Sequence, residues 1–125
     1  MAIRDKLRTN AQKHLKQGET IQQVMAAQST SPLMAALSYW IAIIKNSARV
    51  IVVTDQRIFV TMSGRLSATQ VKDIVNEALR STKLGTPKGL WHKCETLGET
   101  LYIHKRFFKD IQAADAGATA TAPTA

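Results

Sequence analysis

The chain is short of cysteine, of acidic side chains and of aromatics, and each shortage removes a class of protein. With one cysteine, Cys94, in 125 residues there is nothing to cross-link within the chain. A disulfide scaffold is therefore excluded, and the free thiol fits a reducing compartment. Nine Asp and Glu face 17 Lys and Arg, a formal charge of +8; such an excess bears on partners and not on fold. Aromatics make up 6% of the chain, and no Lys/Arg-Gly-aromatic run of the RNA-reading type occurs. Long apolar runs are missing too. The longest, Leu33 to Ile44, spans 12 residues broken only by Ser38, and as a helix it reaches about 18 Å against the ~30 Å of a hydrocarbon core. The N-terminus is charged from Arg4 onward, Met1-Ala2 lacks the Gly of a myristoylation signal and the last residues hold no Cys to prenylate, so neither export nor a lipid anchor is expected. The expected location is the cytoplasm, peripheral at the inner membrane face if membranes are involved. What is present, 45% apolar and 21% charged residues, suits one small domain able to bury a core.

Ile3, Leu7, Ala11, His14 and Leu15 recur at helical spacing among Arg4, Arg8, Lys13 and Lys16, with Gly18 placed to end the helix. Residues 1–17 thus read as a basic amphipathic helix. Thr20 to Ala27 fits a short strand. Leu33 to Ile44 begins after a Ser31-Pro32 start signal and ends in β-branched and aromatic residues, so periodicity alone leaves helix and strand open. It leaves open too whether this run is core or an interfacial anchor presenting Tyr39 and Trp40. Val50 to Val53 and Ile58 to Val60, joined by Thr54-Asp55-Gln56-Arg57, predict a hairpin whose Asp side chain bonds its own backbone. Ser67 with Gln70 makes a capping box, and Val71, Ile74, Val75, Ala78 and Leu79 then follow helical spacing. A turn at Thr86 to Gly89, a second hairpin across Leu97-Gly98-Glu99 and a helix from Lys105 to Asp115 complete the order. Beyond Ile111 the residues are mostly Ala and Thr, which predicts a disordered tail over 116–125 around a β domain of 18–115.

No constellation carries catalysis. His92 and Cys94 share a strand face, but a structural zinc site wants four ligands in tighter spacing and a thiol nucleophile wants an orienting third group. Asp73 with Glu77 and Glu95 with Glu99 read as solvated charge, and Gly85-Thr-Pro-Lys-Gly89 lacks phosphate-loop spacing. The chain is read as non-enzymatic, with no metal, no cofactor and no small-molecule substrate evident. Positive charge is the remaining signal, and it has two sources. Residues 1–16 carry Arg4, Arg8, Lys13 and Lys16 for a net +4 with their neighbours, and Arg80, Lys83, Lys88 and Lys93 add another +4 without an acid among them. These eight are the candidate contacts for an acidic protein partner or an anionic lipid, with nucleic acid as the alternative.

Val52-Val53-Thr54-Asp55-Gln56-Arg57-Ile58, with Gly89 to Lys93 and Tyr102 to Asp110, resembles the small actinobacterial type of bacterial pleckstrin-homology-like domain. The likeness covers residues 2 to 115. It implies an α+β, mainly β fold: a bent, nearly closed barrel of two packed antiparallel sheets, with an amphipathic N-terminal helix and one end plugged by a C-terminal helix that inserts Phe107 or Phe108 and Ile111. It also implies strand over Val71 to Leu84, against the helical periodicity, because a barrel needs those strands to close. Phosphoinositide-binding members carry basic residues in the first hairpin loop, which the resemblance places at Thr54 to Arg57; with one Arg and one Asp there, the implied role is a plain protein-binding platform and not a phosphoinositide pocket.

Overall fold

Val50 to Val53 is an unbroken apolar run because its strand is covered on both faces. In the computed structural model, which describes residues 3–29, 48–63 and 71–121, this run lies in β2 (Ala48–Thr54) of an antiparallel sheet. The other strands are β1 (Ile21–Gln28), β3 (Arg57–Ser63), β4 (Val71–Leu79), β5 (Trp91–Cys94) and β6 (Leu101–His104), in the order β4-β3-β2-β1-β6-β5. Helix α1 (Ile3–Ala11) precedes them and runs into a 3-10 turn at Gln12–His14; a second 3-10 turn, Lys105–Phe107, leads into α2 (Phe108–Thr121). The fold is mainly β with two short helices, and the sheet curls into half a barrel. The described strands form one sheet and not the two packed sheets expected, because β1 pairs with β2 on one side and with β6 on the other.

Strand alternation sorts the apolar residues between two cores. Val50 and Val52 join Leu7 and Ala11 of α1, Ile21, Val24, Phe59 and Val71 on one face. Leu7 and Ala11, four apart, lie one above the other and are fully buried. Ile51 and Val53 join Met25, Ile58, Val60, Leu84, Leu97, Leu101 and Ile103 on the other, with Phe107, Ile111 and Ala114 from the C-terminal segment. Phe107 and Ile111 are the inserted residues, and Phe108 packs at the margin. Complete burial of a side chain such as Ile111 contributes about 1.5 to 3 kcal/mol, which is why this segment belongs to the domain.

Val71 to Leu79 is strand, and its helical periodicity has a local cause. Val60 pairs with Asn76 while Thr61 pairs with Ile74, and Ser63 pairs with Val71. An extra β4 residue therefore intervenes twice, which makes two bulges. Each bulge shifts the alternation by one, so Val71 and Ile74 share the α1 face at a spacing of three while Ala78 packs on the opposite core. The strand stops at Leu79, short of the Leu84 implied by the resemblance.

The tail expected to be disordered over 116–125 is helical as far as Thr121, and Ala118 is buried; residues 122–125 lie outside the described residues. Alanine is the best helix former, and a side chain that small lets the helix approach its neighbours closely. Leu33 to Ile44, with Tyr39 and Trp40, also lies outside the described residues, as do Ser67 and Gln70.

The β5–β6 connection folds back over the second core. Leu97 is buried there, Arg49 of β2 donates through Nε to Glu99 Oε1 at 3.0 Å, and Asn76 of β4 lies against Gly98. Gly98 has φ +92°, and a methyl group on it would come 2.7 Å from Asn76 Oδ1. Gly98→Ala is expected to destabilise by about 1 to 3 kcal/mol through backbone strain plus this clash. Adding Asn76→Ala should restore only the clash part, as measured by denaturant unfolding.

Candidate functional site

The Thr54-Asp-Gln-Arg57 turn is organised by its first residue. Thr54 Oγ1 accepts from the backbone N–H of Gln56 and of Arg57, each at 3.1 Å. Asp55 does not bond its own backbone to hold the turn, as the residues had suggested; its carboxylate accepts from Thr20 N at 2.9 Å, and its N–H donates to Thr20 O at 3.1 Å, tying the turn to the start of β1. Arg57 then reaches back to Glu19: Nε donates to Oε2 at 2.9 Å and Nη2 to Oε1 at 3.2 Å and to the His14 carbonyl at 2.8 Å, while Nη1 pairs with Glu77. The guanidinium also stacks over Phe59, 4.6 Å from the ring centre. Glu19 accepts further bonds from Thr54 Oγ1 at 2.7 Å and Lys16 N at 2.8 Å, and its side chain is fully buried. Burial pushes the Glu19 carboxyl up, but the hydrogen bonds from Arg57, Thr54 and Lys16, with the charge of Arg57, outweigh it and hold the group down to about 2. Here the one basic residue of the turn is committed to internal pairing, which leaves this turn ill suited to a phosphate ligand.

The same question, whether a positive charge is available, divides the eight candidate contacts. Arg8 donates to the carbonyls of Ile21 at 3.2 Å and Gln22 at 2.8 Å, fastening α1 to β1. Arg80 is not a surface residue at all. It is buried, with Nε and Nη2 on Gln22 Oε1 at 3.0 and 2.8 Å and Nη1 on the Ala114 carbonyl at 3.0 Å. Burial lowers its pKa, partly offset by the charge of Asp115. A buried guanidinium needs this many acceptors, and the sequence pattern that counted Arg80 in a basic patch cannot see them. Lys13, Lys16, Lys83, Lys88 and Lys93 are exposed, Lys93 beside Glu95 at 3.4 Å. Arg4 lies in α1, but its side chain, like Tyr39 and Trp40, lies outside what the structure describes.

The exposed cations fall on two different parts of the sheet. Lys13 and Lys16 follow α1, whose core partners come from β1 to β4, and His14 Nε2 donates to the Lys72 carbonyl at 2.6 Å, which ties this segment to the β4 backbone. Lys83, Lys88 and Lys93 belong to the loop before β5 and to β5 itself, at the other edge of the sheet. There the backbone joins them to a segment the candidate set omitted. Lys105 N donates to Leu90 O at 2.8 Å, and Trp91 stands edge-to-face on His104 with ring centres 5.1 Å apart. The exposed Lys105 is thereby brought next to Leu90, two residues from the exposed Lys88, with the exposed Arg106 and Lys109 following it in the chain. The signal in the sequence was the second basic run, Lys105 to Lys109, which hairpin pairing of Trp91 with His104 places next to the first.

His92 and Cys94 point inward from β5. His92 is buried, not partly exposed, and its Nε2 donates to the Leu84 carbonyl at 2.6 Å; Cys94 Sγ lies 3.5 Å from Thr96 Oγ1. Among the described residues no three His, Cys, Asp or Glu side chains gather to hold a metal, and no described helix is long and apolar enough to cross a membrane. The loop that carries Lys83 and Lys88 is fixed to α2 by Asp115, whose two carboxylate oxygens accept from Leu84 N at 2.7 Å and Gly85 N at 3.0 Å. Compared with known proteins, this chain matches no family model, no curated protein and no solved structure.

Proposed function

We propose that the protein is a non-enzymatic binding module of pleckstrin-homology-like type that docks at the anionic cytoplasmic face of a membrane through the β5 edge. The curled antiparallel sheet with a terminal helix packed into its core supports the fold assignment. The observation that carries the function is the bond from Lys105 N to Leu90 O, which joins the segment of the exposed Lys88 to the segment of the exposed Lys105 and Lys109. Each Lys or Arg near an anionic leaflet contributes about 1 kcal/mol, and salt screens it within a Debye length of ~10 Å at 0.1 M. Arg8 and Arg80 are withdrawn from this role by their internal bonds.

Co-sedimentation of the full chain with vesicles tests the reading. Capture by phosphatidylcholine vesicles containing phosphatidylserine, falling with added salt and falling about tenfold or more in Lys88→Glu/Lys105→Glu, is the expected result. Equal capture by neutral vesicles, or none by either, overturns it. An acidic protein retained by the same surface without vesicle binding would favour the partner version of the module. Nucleic acid is the competing reading, on charge and on the Trp91–His104 pair; a shift of labelled single-stranded DNA or RNA at physiological salt, lost in the same double variant, would replace the membrane.

A further inference from the structure

Three large apolar side chains are exposed among the described residues: Val75 and Leu79 on β4, and Leu90. Leu90 differs from the others in its setting. It sits at the bend before β5, directly after Gly89, whose φ of +67° turns the chain, and its side chain is 52% exposed. Its backbone is nonetheless fixed, because its carbonyl accepts from Lys105 N at 2.8 Å and the next residue, Trp91, opens β5 opposite His104. A side chain in water gains nothing by being presented on a fastened backbone; the arrangement does suit entry into a second apolar phase, since ordering costs have been met before contact. Two exposed cations neighbour it: Lys88, two residues earlier in the chain, and Lys105, whose backbone N–H is bonded to its carbonyl. The nearby carboxylate of Asp115 is occupied by the amides of Leu84 and Gly85, and Glu95 by Lys93.

We infer that Leu90 is a membrane-inserting wedge, seated in the acyl boundary of an anionic leaflet while Lys88 and Lys105 meet the headgroups and Trp91 lies at the interface. This rests on the docking reading above and adds to it a component that salt does not screen. Aliphatic insertion beside basic residues is how amphipathic surfaces hold on to membranes, and an indole is stable at headgroup depth. The occupant is a lipid surface and not an apolar protein groove, because the exposed aliphatic area is one side chain with a lysine close to it in each of two chain segments.

The test uses the full chain and phosphatidylcholine/phosphatidylserine vesicles. Leu90→Ser, at an exposed position that leaves the fold intact, should bind about tenfold more weakly, the loss expected for withdrawing one buried leucine, and should lose the binding that persists at high salt. Leu79→Ser, still more exposed and on β4, should bind as the native chain does. Leu90→Trp should bind at least as well and show fluorescence quenched by brominated acyl chains. If Leu90→Ser binds unchanged while anionic vesicles still capture the native chain, the wedge is wrong and the electrostatic docking stands. Equal weakening by Leu79→Ser would also overturn it, as would an unquenched indole at position 90. No capture of the native chain by any vesicle overturns both readings.

Discussion

Glu19→Ala is expected to lower stability by about 3 kcal/mol, since removing one member of a buried pair strands the other in low dielectric. In thermal unfolding of a chain this size the loss reads as a drop of about 10 °C in Tm. Arg57 would keep Glu77 and the His14 carbonyl, but Thr54 Oγ1 would lose its acceptor on Glu19 and Lys16 N its capping bond. The same carboxylate sets an acid limit. Its pKa falls from 4.5 in the unfolded chain to about 2 in the folded one, so the folded state binds the proton more weakly. The stabilisation is therefore complete above pH 4.5 and is lost as pH falls from there through 2. A shift of this size corresponds to about 3 kcal/mol, the same magnitude as the substitution. Urea midpoints taken at pH 7, 4 and 3 should fall steeply for the native chain and less for Glu19→Gln. Parallel slopes for the two chains would show that Glu19 is not the group responsible.

The second large effect lies at Gly117, where α2 crosses Arg80. A methyl group there would stand 2.4 Å from Arg80 Nη2, and Arg80 cannot step aside without breaking its bonds to Gln22 and to the Ala114 carbonyl. Ordinarily Gly to Ala within a helix gains about 1 kcal/mol. Here Gly117→Ala is expected to lose about 2 kcal/mol net, since stranding a buried charged donor costs more than the propensity returns. The sign should reverse in an Arg80→Ala background, where the clash is gone and the ordinary gain returns. A double-mutant cycle by denaturant unfolding measures this directly, and additivity of the two changes would refute the coupling.

Much of the fold was legible because local patterns agreed with tertiary needs. The Val50 to Val60 hairpin, the Leu7/Ala11 stripe and the second hairpin across Leu97-Gly98-Glu99, which pairs Trp91–Cys94 with Leu101–His104, each stand where their residues pointed. β4 was legible only through the resemblance to pleckstrin-homology-like domains, since two bulges had turned a period of two into an imitation of 3.6. The alanine-rich end misled for a different reason: without large side chains it shows no periodicity, yet its small size is what allows Ala114, Gly117 and Ala118 to approach Gln22 and Arg80. The candidate site was the least legible. Charge along a sequence does not distinguish Arg80, held by three internal acceptor bonds, from Lys88, which is exposed. Nor could spacing show that residues 90 and 105 meet, because their approach depends on hairpin register.

The two bulges of β4 also bear on how copies of this protein behave toward one another. Among the described residues β4 has β3 as its sheet neighbour on one side, and Val75 and Leu79 are exposed along it. A straight strand of that kind would offer a ladder of N–H and C=O groups on which another chain could nucleate. The bulges break the even spacing such a ladder needs, and the exposed charges of Lys72, Asp73 and Glu77 penalise close approach of a second β edge. The irregularity that disguised β4 as a helix thus also interrupts the regular ladder that a straight strand would present.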